Sequence, residues 1–208
     1  RIALDPGAKP GWGSTGSSGI GTGMAQTCRL GGAQGHVWGT QANAAAYHDS
    51  PDSDLEGLHY AQVDVTDAEL IEATRVPFSR LDVLVLAQGT VLYDRQEFLT
   101  VGFKRVLDVN LTSVMVCAQK FHPLLSEAKG SVIVVSSAAA FHSTRGNPAY
   151  NASKTGAFGL TRTLAEAWAR DGVRVNGIAP GLVETKLTRI TTANPKRLEG
   201  ALHNIPLG

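Results

Sequence analysis

Val132-Ile133-Val134-Val135-Ser136-Ser137 is the stretch that decides the architecture. Its four apolar residues are continuous and β-branched. A half-exposed strand would alternate apolar with polar, so this run reads as a strand buried on both faces, as in a parallel sheet. Upstream, Val83-Leu84-Val85-Leu86 repeats the pattern, and Leu58-His59-Tyr60-Ala61-Gln62-Val63 and Val173-Arg174-Val175-Asn176-Gly177-Ile178 are further strand candidates. Between these runs lie stretches of helical period. Phe103 to Leu125 carries Val106, Asn110, Val114, Cys117 and Phe121 at spacings of three or four; Tyr150 to Arg170 carries Ala157, Leu160, Leu164 and Trp168 likewise. Strands alternating with crossover-length helices predict an α/β fold, an open doubly wound parallel sheet with helices on both faces.

Two strands are weak on local rules. The first, just before a glycine cluster, must come from Lys9-Pro10-Gly11-Trp12-Gly13-Ser14, where three of six residues are Gly or Pro. Glycine weakens a strand, and proline is not expected in a central one. The second, Gly35-His36-Val37-Trp38-Gly39, is thin, and the polar stretch Asn43 to Gly57 reads as ending in a loop.

The chain has 208 residues, which fits a single domain, 1–208, with a sizeable core. Its 19 basic and 18 acidic residues are well mixed and leave a net charge of +1. That balance argues against a nucleic-acid surface or a polybasic membrane patch. Cys28 and Cys117 show no metal or CxxC spacing and read as inert core thiols of a reducing compartment; no metal site is expected. No apolar run reaches membrane-spanning length, and Arg1 to Pro6 lacks a signal-peptide core, so a soluble cytoplasmic protein is expected.

Thirteen residues after Ser137 comes Tyr150-Asn151-Ala152-Ser153-Lys154. On a helix, positions i and i+4 share a face, which sets an ammonium near a phenol. A nearby positive charge favours the phenolate and lowers its pKa, and a strand-end serine can hold a substrate oxygen against the ring hydroxyl. This is a proton-transfer site suited to an alcohol or a ketone. Three further features accompany it in order: Gly16-Ser17-Ser18-Gly19-Ile20-Gly21 near the N-terminus, Asp108-Val109-Asn110 in the middle, and Asn176-Gly177-Ile178-Ala179-Pro180-Gly181 after the next strand.

In order and spacing these features resemble the classical short-chain dehydrogenase/reductase family, from about Gly7 to Gly208 and closely from Leu81 onward. The resemblance implies a single Rossmann-like domain and an oxidoreductase that moves hydride between NAD(P) and a secondary alcohol or ketone. It assigns Tyr150 as general acid or base, Lys154 as the group that lowers its pKa and binds the nicotinamide ribose, Ser137 as the orienter of the substrate oxygen, and Asn110 as the holder of a water behind the lysine. The family glycine motif, Thr-Gly-x-x-x-Gly-x-Gly, aligned on Gly19-Ile20-Gly21, places Ser14 and Thr15 where threonine and the first glycine stand. By residue type the cluster still suits a pyrophosphate: glycines let the backbone approach, and a helix N-terminus favours negative charge. Thr22 after Gly21 excludes a P-loop, which needs lysine there.

The cofactor expectation continues along the chain. Gly16, Ser17, Ser18, Gly19, Ile20 and Gly21 would hold the pyrophosphate side. Asp64 and Val65 match the adenine position, although Asp64 also reads as a cap of the next helix. Leu86-Ala87-Gln88-Gly89 stands where the family has Asn-Asn-Ala-Gly, so Ala87, Gln88 and Gly89 are expected along the cofactor. Pro180, Gly181, Val183 and Thr185 match the segment against the nicotinamide carboxamide. At the end of strand two, Trp38-Gly39-Thr40-Gln41 offers neither a carboxylate for ribose hydroxyls nor an arginine for a 2′-phosphate. NADP(H) or NAD(H) is therefore expected with a slight lean to NADP(H), Thr40 as a phosphate partner, and Asp introduced at Gly39 as a switch towards NAD(H).

Ala138 to Ala149 is expected to line the substrate mouth through Phe141, His142, Arg145 and Asn147, with Leu92 and Leu182 opposite. The expected partners are a small-molecule alcohol or ketone and further copies of the chain, as a dimer or tetramer. Similar proteins continue beyond Ile205-Pro206-Leu207-Gly208 with a helix and an edge strand, which this domain is expected to lack. A second reading stays open: a catalytically silent dinucleotide-binding sensor or assembly subunit.

Overall fold

The computed structural model describes residues 11–50, 52–203 and 205. Six strands form one sheet: β1 (Gly11–Ser14), β2 (Gln34–Gly39), β3 (His59–Gln62), β4 (Val83–Leu86), β5 (Ser131–Val135) and β6 (Arg174–Ile178). Their order is β3-β2-β1-β4-β5-β6 and every pairing is parallel. The winding reverses between β1 and β4, and this switch point is where open α/β sheets form their ligand crevice. The helices are α1 (Gly19–Leu30), α2 (Ala68–Ala73), α3 (Thr100–Leu107), α4 (Ser113–Ala128), α5 (Pro148–Ala167), α6 (Arg189–Thr192) and α7 (Pro195–Leu202).

The apolar runs are strands because both of their faces are covered. Leu84 and Leu86 of β4, with Val132 and Val134 of β5, pack with Ile71, Val114, Phe121 and Leu164 in one core. Val85 and Val135, one residue out of phase, pack with Val37, Ala25, Tyr47 and Leu55 in the other. Successive side chains of a strand point to opposite faces, so an uninterrupted apolar run feeds two cores at once.

β1 forms despite its composition; Lys9 and Pro10 lie outside the described residues. It is held from both sides, by β2 and by β4. Asp82 adds a clamp at its start: the carboxylate accepts from the Gly11 N–H at 2.9 Å, and the Asp82 N–H donates to the Gly11 carbonyl at 2.9 Å. Glycine is required at position 11, since a Cβ there would run into the Arg80 carbonyl. Tertiary pairing thus overrides the local propensity.

The helix expected over Phe103 to Leu125 is continuous but not uniform. A π-helical turn, Asp108–Thr112, joins α3 to α4. The polar stretch after β2 contains one 3₁₀ turn, Ala44–Tyr47, capped by Asn43, whose side chain accepts from the Ala46 N–H at 3.1 Å. The expectation about the chain beyond Gly208 lies outside the described residues.

Candidate active site

α5 begins at Pro148, whose fixed φ suits a first helical position. It carries Tyr150 and Lys154 on one face, as their spacing requires. Lys154 is 4% exposed, and its Nζ donates to the Val135 carbonyl at the end of β5 at 2.9 Å. Burial pushes its pKa down to about 8. The ammonium lies 5.8 Å from the centroid of the Tyr150 ring. Ser137 stands two residues past the end of β5. Its Oγ accepts from the Ala139 N–H at 3.1 Å, and its hydroxyl hydrogen-bonds the Tyr150 phenol. Ser136 is turned the other way, donating to the Lys154 carbonyl at 2.8 Å.

The phenol departs from expectation in one respect. Its pKa is raised, not lowered: burial dominates, the Ser137 hydrogen bond pulls the other way, and the charge of Glu97 adds to the rise. The Lys154 ammonium is turned to the Val135 carbonyl.

Asn110 sits in the π-helical turn, fully buried. Its amide is wholly engaged: Oδ1 accepts from the Thr90 N–H at 2.7 Å, and Nδ2 donates to the Thr90 carbonyl at 2.9 Å and to Ser153 Oγ at 3.0 Å. The side chain therefore pins the turn after β4 to the helices.

One cavity runs from the glycine turn to these groups. It is lined by Ser18, Gly19, Ile20 and Gly21, by Ala87 and Gly89, by Ser137, Tyr150 and Lys154, and by Pro180, Gly181, Val183 and Thr185. Val135, Ser136, Lys186, Leu187 and Thr188 complete the wall; the last three belong to no motif that could have named them. The glycines shape the end that a dinucleotide needs. A Cβ on Gly21 would stand 2.6 Å from the Gly16 carbonyl, so turn and helix meet only through glycine. Gly19 has φ +56°, and a Cβ there would stand 2.9 Å from Thr185 Cγ2. With the α1 N-terminus behind them, these residues fit a diphosphate. One donor is already engaged: the Gly19 N–H donates to the Asp52 carbonyl at 2.6 Å, while the Asp52 carboxylate accepts from the Lys186 N–H.

The other expected cofactor residues are not brought to this cavity. Gln88 turns inward, accepting from Thr15 Oγ1 and donating to Ser113 Oγ at 2.9 Å, because a long amide beside two buried hydroxyls is better satisfied inside. Gly16 packs against Ala87. Ser17 Oγ donates to the Tyr47 phenol at 2.9 Å, and exposed Thr40 hydrogen-bonds the same phenol. Asp64 folds back on Thr66, accepting from its N–H at 2.9 Å and its hydroxyl at 2.7 Å; these bonds hold its carboxyl below the usual range. Asp67, not Asp64, caps α2. Val65 packs against the core. At Gly39 a Cβ would lie 2.5 Å from both Ser17 Oγ and the Tyr47 hydroxyl, so the expected Asp substitution there has no room.

The expected substrate mouth is also revised. Phe141 packs edge-on against Phe158, and His142 and Arg145 are exposed; none borders the cavity. Asn147 donates to the Leu92 carbonyl at 2.9 Å and to Glu97 Oε1 at 3.3 Å. Leu92 and Leu182 do not line the cavity, whereas Leu187 does, and Tyr93 donates to its carbonyl at 3.1 Å. Glu97 and Tyr93 escaped the sequence reading because isolated polar residues in a loop carry no periodic signal.

Residues 14–196 match the family model described as short chain dehydrogenase. Among curated proteins the chain is 31% identical to a 2-dehydro-3-deoxy-D-gluconate 5-dehydrogenase of Bacillus subtilis, over 92% of this chain and 77% of that protein. It is 29% identical to a 3-oxoacyl-(acyl-carrier-protein) reductase of Chlamydia muridarum, over 93% and 80%. Among solved structures, the Pseudomonas aeruginosa RhlG/NADP active-site complex superposes with a TM-score of 0.82 at 28% identity, covering 96% of this chain and 82% of that one. A Beutenbergia cavernae protein with bound NADP superposes at 0.78 with 31% identity, covering 96% and 82%.

Proposed function

The chain belongs to the short chain dehydrogenase family, and on that premise we propose that it is an NAD(P)-dependent oxidoreductase interconverting a secondary alcohol and a ketone, with Ser137, Tyr150 and Lys154 at its chemical centre. One observation carries the reading: a single cavity holds the glycine turn at one end and these three side chains at the other.

In the reducing direction the Tyr150 O–H donates its proton to the carbonyl oxygen as the carbonyl carbon becomes an alcohol carbon. Held above its ordinary value, the phenol stays protonated at neutral pH, which suits an acid. The Ser137 hydroxyl, already bonded to the phenol, holds the substrate oxygen beside it. Lys154 places a titratable ammonium behind the ring, with a pKa near enough to neutrality to restore a proton. Ser18, Gly19, Ile20 and Gly21 would hold the diphosphate, and Pro180, Gly181, Val183 and Thr185 the nicotinamide end. The bound nicotinamide supplies or takes the hydride. A lean to NADP(H) rests on the absence of a carboxylate over Trp38 to Gln41. The relatives' names point to ketones on sugar acids and on acyl chains, and both belong in a substrate panel. The same reading includes a cytoplasmic homo-oligomer, dimer or tetramer, which light scattering tests; among the described residues no helix is long and apolar enough to cross a membrane.

Tyr150→Phe is the deciding variant. It keeps the ring and removes the transferable proton, so turnover on the panel should fall at least about 10²-fold while NADPH affinity, read by fluorescence, stays within a few-fold. NADPH binding by the wild type with no turnover on any ketone would instead favour a silent dinucleotide-binding module.

A further inference from the structure

We propose that Glu97 is a positioning residue for Tyr150, tying the first turn of α5 to the segment 92–97, whose Tyr93 bonds the cavity wall; this rests on the role proposed for Tyr150.

Glu97 is 0% exposed, and among the described residues no cation pairs with it. Its oxygens accept instead from three N–H donors: Leu92 N at 3.0 Å, Asn147 Nδ2 at 3.3 Å and Tyr150 N at 2.9 Å. The last donor is one of the first-turn N–H groups of α5, which have no partner inside the helix. Asn147, the residue at the cap position, makes no side-chain cap bond and spends its amide on Leu92 and Glu97. The helix is thus capped by a carboxylate from 53 residues away, at the end where its dipole favours negative charge. A shift of Glu97 moves the tyrosine backbone.

The turn that delivers Glu97 is strained. Asp94 and Arg95, neither of them glycine, both stand in the left-handed region at φ +53° and +62°. Such residues persist where surrounding contacts hold them, and they cluster at functional sites. α3 presses on the same turn: a Cβ on Gly102 would run into the Gln96 carbonyl. Tyr93, beside this turn, bonds the Leu187 carbonyl of the cavity wall. Glu97 therefore ties the segment that braces the cavity wall to the first turn of α5.

Its charge also acts on the phenol, helping to hold it protonated. The titratable groups around Tyr150 are Glu97, Lys154 on its own helix and Tyr93 on the Glu97 segment; Lys104, Arg105 and Asp108 on the neighbouring α3 and π-turn are exposed.

Two substitutions separate charge from reach. Glu97→Gln keeps the shape and removes the charge, so the Tyr150 ionisation midpoint should fall below that of the wild type. The midpoint is read by ultraviolet difference titration against Tyr150→Phe and needs no turnover. Glu97→Asp keeps the charge and shortens the reach. It should lower kcat about 10–100-fold with KM within a few-fold, leaving the midpoint near wild type. In the wild type, hydrogen exchange at the Tyr150 amide should be slow for a first-turn position. An unmoved midpoint in Glu97→Gln together with wild-type kcat in both variants overturns the proposal. So does a Tyr150 amide exchanging like an exposed one, a result that stands even where the variants fail to fold. A wild type that turns over no ketone, with the midpoint still shifting in Glu97→Gln, removes the proposed function and leaves the positioning role.

Discussion

Lys154 brings a charge into an interior that resists it. Its spacing from Tyr150 was readable because i and i+4 share a helix face, but the direction of its ammonium was not. The Val135 carbonyl that receives it belongs to a strand 19 residues upstream. The same limit applies to Gln88 and Asn147, whose residue types suggested ligand contacts and whose partners lie far along the chain. Lys154 also yields a prediction at this scale. Its folded pKa, about 8, lies below the ordinary 10.5, so the unfolded chain binds more protons between these values. The cost of burying the charge is fully present below pH 8 and is relieved as pH rises towards 10.5. Against Lys154→Met, the wild type should gain roughly 3 kcal/mol of relative stability across that window and nothing below it. Urea unfolding of both proteins at pH 7, 8.5 and 10 reads this; a pH-independent difference would contradict the burial.

At the scale of elements, apolar runs and helical periods were legible for β4, β5, α4 and α5. The π-helical turn at Asp108–Thr112 was not, because it inserts one residue into a pattern whose spacings of three and four tolerate it. That insertion accompanies the burial of Asn110 against Thr90 and Ser153. β1 was the opposite case, poor by propensity and present by pairing. α4 carries its own local conflict in Pro123, inside the helix and exposed. Proline there removes one helical hydrogen bond and crowds the preceding turn. Pro123→Ala should therefore raise stability by about 1–3 kcal/mol with an unchanged denaturant slope. A loss of stability would show that the helix depends on Pro123.

The whole molecule is a sheet between two cores, with its cavity at the switch point between β1 and β4. Segments from five places border that cavity: the turn after β1, the end of β4, the end of β5, α5, and the stretch after β6. A ligand held there binds the folded chain and has no site on the unfolded one. If NADPH is that ligand, a concentration of 100 Kd should add about 2.7 kcal/mol. For a chain of this size that raises Tm by roughly 5–10 °C. Thermal unfolding with and without NADPH, after its Kd has been measured by fluorescence, gives the answer. A Tm unmoved by NADPH and by NADH alike would remove the dinucleotide reading altogether, for an active enzyme and a silent module alike.

The sequence by itself determined what depends on short spacing. Strand identity follows from continuous apolar runs, helix faces follow from the 3.6-residue period, and a close turn at a helix start follows from Gly16, Gly19 and Gly21. The tertiary structure alone decided where polar side chains spend their hydrogen bonds. Gln88, Asn110, Asn147 and Glu97 each meet partners brought near by sheet order and helix packing, at separations of up to 55 residues. A buried polar group must be satisfied by whatever the fold places beside it, and no local pattern encodes that neighbour.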